Sequence, residues 1–121
     1  MVRLFFLLLS VAYIAAIFLY AGSPIVDDIS RFNPYSLLHI PLYGILTVLL
    51  DKSVGGAGAI RLFLPAAIAL GVAVADEVNQ LFTPGREGTV TDALLDLVGI
   101  CLVLLLLFRL RRRADKQRGA A

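Results

Sequence analysis

Long apolar runs dominate the sequence and alternate with short polar segments. Four runs are visible, at about residues 4–22, 35–50, 62–82 and 91–108. A helix that crosses the hydrocarbon core of a membrane needs roughly 20 residues, within a range of about 17–25. The second run is short, which fits a span with little tilt or a thin part of the bilayer. The pattern predicts an all-α integral membrane bundle of four transmembrane helices.

Composition agrees with this class of protein. The 121 residues are 60% hydrophobic and 17% charged, whereas soluble domains are roughly half apolar and a quarter charged. The length leaves no room for a second compact unit, so residues 1–121 are predicted to form one membrane domain. Cys101 is the only cysteine, which excludes an intrachain disulfide. Its apolar surroundings indicate a small lipid-facing or core residue.

Basic residues are distributed unevenly along the chain. If the N-terminus is in the cytoplasm, the connections at residues 23–33 and 83–90 lie outside and carry only Arg31 and Arg86. Because cytoplasmic loops are enriched in Lys and Arg, an N-in/C-in topology is predicted. The cytoplasmic side then holds the other nine of the 11 basic residues: Arg3, Lys52, Arg61, Arg109, Arg111, Arg112, Arg113, Lys116 and Arg118.

The two charged ends have alternative interpretations. The basic segment at residues 109–121 directly follows an apolar run, so it is interpreted as a cytoplasmic tail near anionic lipid headgroups rather than as a nucleic-acid site. A cleaved signal peptide is the alternative for the N-terminus. The first apolar run, about 19 residues long, exceeds the usual signal-peptide core of about 7–15 residues.

Prolines predict where two of the helices begin. Asn33-Pro34 is typical of an N-cap followed by proline at the first helical position, which would start the second helix there. Pro41 would then lie inside that helix and kink it. Pro65 is expected in the first turn of the third helix, where a missing backbone donor is tolerated.

Polar residues inside the apolar runs follow helical spacing. Residues three or four apart share one face of a helix, and each of the last three predicted helices carries such a set near its outer end. Charged groups within membrane helices are costly and usually mark a function. The sequence therefore predicts a polar pocket in the outer leaflet. Its candidate residues are His39, Tyr43, Asp76, Glu77, Gln80, Asp92 and Asp96.

The connection between the last two helices adds a basic group. Thr83-Pro84-Gly85-Arg86 is compatible with a type II turn, which would hold Arg86 above the carboxylates. Arginine is suited to bidentate pairing with phosphate or carboxylate, so Arg86 is the eighth candidate. On the fourth helix, Gly99 would allow close approach of a neighbouring backbone.

Structural alternatives remain open for these residues. Arg86 could pair with a neighbouring carboxylate instead of an external anion. Asp92 could serve only as an acid near a helix N-terminus, and Tyr43 could serve only in packing. His39 could be a hydrogen-bonded structural residue, although its depth beside an acidic layer favours a functional role.

Three motifs carry a resemblance to a known family. They are His39-x-x-x-Tyr43, Asp76-Glu77-x-x-Gln80-x-Phe82-x-Pro84-Gly85-Arg86, and Asp92-x-x-x-Asp96-x-x-Gly99. Together they resemble the VanZ-like family of small bacterial membrane proteins. That family usually has Asn at the position of Asp96, so a negative charge is added here. The resemblance implies a cell-envelope protein, because the family is named for a member associated with low-level teicoplanin resistance.

Three functions are compatible with these features. The leading hypothesis is an inner-membrane protein whose pocket binds an anionic lipid or a phosphate-bearing cell-wall intermediate, with a link to teicoplanin resistance. The runner-up is an intramembrane hydrolase or transferase that uses His39 as a general acid or base. The third is a structural subunit in which the polar layer only specifies packing. No cofactor, metal or nucleic acid is predicted; a second copy or another membrane protein is an expected partner.

Overall fold

A computed structural model describes residues 1–21, 37–56, 58–82 and 90–120 of the chain. These residues form four α-helices and no strand: α1 at Val2–Ala21, α2 at His39–Ser53, α3 at Gly58–Leu81 and α4 at Val90–Gly119. The predicted all-α class is therefore confirmed for this part of the chain. The helix boundaries lie within about three residues of the four apolar runs, except at the starts of α2 and α3 and at the end of α4.

The position of Pro41 in α2 differs from the prediction made from the prolines. The described helix begins at His39, while Asn33-Pro34, the predicted start, lie outside the described residues. Leu38 occupies the N-cap position without a side-chain hydrogen bond. Pro41 consequently lies in the first turn, where it lacks only a donor that would be unsatisfied anyway.

Pro65 shows the opposite difference. It was expected in the first turn of the third helix, but α3 begins at Gly58 and Pro65 lies in its interior, where it is buried. The helix starts earlier because the segment from Gly58 onward is rich in Ala, Ile and Leu, which lengthen the apolar stretch. Neighbouring helices support a proline at such a position in a membrane bundle.

The last helix continues well beyond the predicted span. It runs through the basic segment to Gly119, so the residues predicted as a tail extend α4 to 30 residues. Arg, Lys, Gln and Ala are good helix formers, and Asp115 lies four residues after Arg111, where side chains of opposite charge attract. Lys116 and Arg118 in the last turn also match the negative end of the helix dipole.

The second helix lies at the centre of the bundle. It packs most extensively against α4 and α1, and also contacts α3. Gly99 of α4 lies against the backbone of Ile40, so that a methyl group at this position would overlap the Ile40 carbonyl oxygen. The hydroxyl of Tyr13 in α1 donates a 2.7 Å hydrogen bond to the carbonyl oxygen of Leu42. The predicted close backbone approach at Gly99 therefore occurs between α2 and α4.

Large apolar side chains cover the outside of the bundle. Many Leu, Ile, Val and Phe residues on α1, α3 and α4 are exposed, as expected for surfaces that face lipid. These three helices are long and apolar enough to cross a membrane, judged by length and composition. At 15 residues, α2 is shorter. The described helices therefore support a membrane protein, with three clear candidates for spans.

Candidate functional site

A histidine–aspartate pair joins the start of α2 to α4. His39 Nδ1 lies 2.6 Å from Asp96 Oδ1. The Asp96 side chain is fully buried, while 17% of the His39 side chain is exposed. His39 is the first residue of α2, and Asp96 lies in the second turn of α4, so the close approach at Gly99 and Ile40 brings the two together. The pair thus lies beside a close backbone contact between α2 and α4.

A second polar network joins α2 to α3. The Tyr43 hydroxyl donates to Asp76 Oδ2 at 3.2 Å, and Gln80 Nε2 donates to the same oxygen at 3.2 Å. All three side chains belong to buried residues. The ring of Tyr43 also stacks on that of His39, with centroids 6.5 Å apart and planes 12° apart. The two networks therefore form one polar cluster across α2, α3 and α4.

Two further acidic residues lie near this cluster. Glu77 is partly buried and within electrostatic reach of Asp76, Asp92, Asp96 and His39. Asp92 is partly buried in the first turn of α4. The structure thus brings together seven of the eight candidates, four of them carboxylates.

Two buried oxygen atoms are of special interest. Among the described residues, Asp96 Oδ2 and Glu77 Oε1 have no hydrogen-bond partner. Buried polar atoms normally have one, because an unsatisfied acceptor costs roughly 1–3 kcal/mol. A ligand group, a water or a side chain from elsewhere in the chain would satisfy them.

The predicted turn between α3 and α4 cannot be placed beside the cluster. Arg86, Pro84 and Gly85 lie outside the described residues. Phe82, which precedes them, is 83% exposed. The role of Arg86 therefore rests on the sequence alone.

A partly buried ion pair that was not predicted from the sequence lies at the opposite end of the bundle. Arg111 of α4 pairs with Asp51 of α2, whose side chain is only 4% exposed. The sequence contained a signal for it, because Asp51 directly precedes Lys52, and both Lys52 and Arg111 are predicted on the cytoplasmic side. Thr47 was missed as well; it is fully buried and donates a 2.8 Å hydrogen bond to the Tyr43 carbonyl oxygen.

Within the described ranges, no group of three or more His, Cys, Asp or Glu side chains is arranged to hold a metal ion. What the cluster can do is donate and accept hydrogen bonds and exchange protons through the accessible His39.

Comparison with known proteins identifies a family for this chain. No curated protein and no solved structure matches the chain. The family model described as VanZ/LLP1 matches residues 4–111, which include all four helices in whole or in large part. The resemblance inferred from the three motifs is thereby confirmed, and the chain belongs to the VanZ/LLP1 family.

Proposed function

We propose that this membrane protein crosses the bacterial inner membrane four times, with both ends in the cytoplasm. The basic groups at one end of the bundle support this, since the Arg3 guanidinium lies against Gly55 and Arg111 pairs with Asp51. The 15 residues of α2 rise about 22 Å, within a hydrocarbon core of roughly 30 Å. With Lys52 at the cytoplasmic boundary, His39 lies in the outer half of the membrane.

Cysteine labelling tests this topology. In a Cys101→Ser background, single cysteines at Glu87 and Gln117 report on the two sides. In intact cells, a membrane-impermeant maleimide should label the cysteine at 87 and not the one at 117. Labelling of the cysteine at 117 alone would reverse the proposed orientation.

We further propose that the polar cluster binds the headgroup of an anionic lipid or a phosphate-bearing cell-wall intermediate. The observation that carries this proposal is the His39–Asp96 pair, in which His39 remains partly exposed while Asp96 Oδ2 has no partner among the described residues. A hydroxyl or amine of a ligand would supply the missing donor. Keeping such an acceptor unsatisfied inside a membrane protein is otherwise costly.

The charge of the cluster constrains the ligand. Four carboxyl groups and one histidine would not attract a phosphate by themselves. We therefore assign the phosphate to Arg86, whose planar guanidinium suits it, and the hydroxyl or amine groups of the same headgroup to Asp96 and His39. This division favours a lipid that carries both a phosphate and hydrogen-bond donors, such as a sugar-bearing or amine-bearing lipid phosphate.

One observation also supports a second candidate function, an intramembrane hydrolase or transferase. Asp96 holds His39 through Nδ1, which leaves Nε2 as the nitrogen that could take a proton. A carboxylate orients histidine in this way where histidine acts as a general base. A bound hydroxyl within about 3 Å of Nε2 would then be activated for attack.

Native mass spectrometry of the purified protein with its co-extracted lipids tests the binding proposal. Arg86→Gln should lose a phosphate-bearing lipid that the unchanged protein retains. Arg31→Gln is the matched control, because Arg31 is the other basic residue on the proposed outer side, and it should retain the lipid. Equal retention in all three proteins would overturn the proposal and favour a purely structural cluster.

The lipid that is retained can then be tested for turnover and for relevance in cells. Conversion of this lipid by the unchanged protein but not by His39→Gln would establish the enzymatic candidate. The link to teicoplanin predicts that expression raises the concentration needed to inhibit a sensitive host, and that Arg86→Gln abolishes the increase. An unchanged inhibitory concentration would remove resistance from the proposal.

A further inference from the structure

A groove lies between α3 and α4, at the end of the bundle away from the polar cluster. Its volume is about 610 Å³, within the range of roughly 300–1,000 Å³ that is usual for ligand sites. Apolar side chains form most of its wall, chiefly Leu62 and Phe63 of α3 and Leu104, Leu105 and Phe108 of α4. Such a surface accepts a hydrocarbon chain.

One end of the groove is charged. Arg112 lines it, with the guanidinium carbon 5.6 Å from the centre of the Phe108 ring. Gly58 and Ala59 at the start of α3 also line it, and α3 has no acidic residue in its first turn. The positive end of the α3 helix dipole and Arg112 therefore both border the groove.

Two other charged residues also line the groove. Arg111 is committed to Asp51, so it contributes less to an external ligand. Asp115 is the acidic lining residue, three positions after Arg112 on α4. The α3 N-terminus and Arg112 together offset this carboxylate, so the mouth of the groove favours an anion.

We propose that this groove binds an anionic phospholipid. The acyl chain lies along the apolar wall, and the phosphate contacts Arg112 and the backbone N–H groups at the start of α3. The arrangement matches an amphiphile, because Leu104 and Arg112 are eight residues apart, which separates the chain and headgroup regions by about 12 Å along α4. This site is separate from the polar cluster, so the inference does not depend on the function proposed above.

The charge of the headgroup is tested first. Delipidated protein in detergent is titrated with phosphatidylglycerol or phosphatidylcholine of identical chains, and bound lipid is counted by native mass spectrometry. Phosphatidylglycerol should bind more tightly. Arg112→Gln should weaken it about fivefold, the effect of one interfacial basic residue on an anionic lipid. The matched control Arg113→Gln removes the same charge from outside the groove and should leave binding unchanged.

The position of the chain is tested with a filling substitution. Ala59→Leu adds bulk to the groove without a change of charge and should reduce binding of both lipids. Ala67→Leu adds the same bulk at an exposed position of α3 outside the groove and should have no effect. Circular dichroism should show equal helix content in all variants, which restricts the comparison to folded protein.

Three results would overturn the proposal. Equal losses in Arg112→Gln and Arg113→Gln would indicate diffuse attraction to the whole basic segment. Unchanged lipid binding in Ala59→Leu would place the lipid elsewhere. A dimer that Ala59→Leu dissociates would make a second copy of the chain the occupant of the groove.

Discussion

The contact between Gly99 and Ile40 predicts that a single added methyl group at position 99 strongly destabilises the fold. A Cβ at position 99 would lie 3.0 Å from both the Cα and the carbonyl carbon of Ile40. Ordinary carbon–carbon contacts are about 3.5–4.0 Å, so these two contacts alone require α2 and α4 to separate by about 0.5–1 Å, and the overlap with the Ile40 carbonyl oxygen adds to this. The obstacle is backbone, which cannot rotate away as a side chain can. Overpacking of this kind costs about 1–3 kcal/mol.

Gly71 provides the matched control for Gly99→Ala. It lies within α3, and a Cβ there would meet nothing within 4 Å. Both substitutions gain the same helix propensity, about 1 kcal/mol, so the difference between them isolates the clash. Gly71→Ala is expected to be neutral or slightly stabilising. Gly99→Ala should be less stable than Gly71→Ala by about 1–3 kcal/mol.

The same separation of α2 and α4 should also disturb the polar cluster. His39 is adjacent to Ile40, and Asp96 is one turn from Gly99, so helix separation would stretch their 2.6 Å contact. An added 0.5–1 Å takes it to roughly 3.1–3.6 Å, at or beyond the limit of a good hydrogen bond. His39 is the only histidine, so selective ¹⁵N labelling gives one imidazole spectrum to follow.

The assay combines two measurements on detergent-purified protein. Titration with SDS, followed by circular dichroism, gives the free energy of unfolding, and ¹⁵N NMR reports on the imidazole of His39. The contrary result would be equal stability of Gly99→Ala and Gly71→Ala together with an unchanged His39 spectrum. That result would mean that α2 and α4 are not in backbone contact at this point.

Three further predictions concern the buried polar groups. Arg111→Gln should destabilise the protein by about 1–3 kcal/mol, because Asp51 loses its partner; adding Asp51→Asn should restore stability, and a double variant as unstable as the single one would contradict this. Tyr43→Phe should lower the free energy of unfolding by about 0.5–1.5 kcal/mol, because Asp76 loses a hydrogen-bond donor. Unchanged unfolding in SDS would count against that hydrogen bond. A double-mutant cycle of His39→Phe and Asp96→Leu should give a coupling energy in stability of about 0.6–1.7 kcal/mol, between the average and the largest values for interhelical hydrogen bonds in membranes. Additive effects of the two substitutions would exclude the pair.

Much of the fold was predictable because lipid imposes a simple rule. Every backbone polar group must be satisfied within its own segment, so long apolar runs become helices. The run at residues 62–82 matches α3 at Gly58–Leu81 for this reason. The helix ends were less predictable. Pro41 was expected inside a helix but lies in the first turn of α2, whereas Pro65 was expected in a first turn but lies inside α3. A proline is compatible with either position, and only the packing of neighbouring helices decides between them.

The common depth of the polar residues on α2, α3 and α4 was predictable, but their pairing was not. Helical spacing placed His39, Asp76 and Asp96 at one depth, because that depends only on position along each helix. Which carboxylate pairs with His39 depends on the rotation of α4 against α2, and spacing within one helix does not reveal it. The pairing of Asp51 with Arg111 of α4 depends on the same packing, so spacing within α2 does not reveal it either.

The helix contact and the chemistry of the site are parts of one arrangement. Asp96 and Gly99 are three residues apart and share a face of α4, while Ile40 follows His39 directly on α2. Gly99, which permits the close approach of the helices, therefore has a fixed position relative to Asp96, whose contact with His39 depends on that approach. A 2.6 Å contact between two short side chains requires backbones this close, so a larger residue at position 99 would remove the pair even with both partners present. For the same reason, loss of function in a Gly99 variant cannot by itself distinguish packing from chemistry. A conservative change at His39 that preserves stability is needed for that distinction.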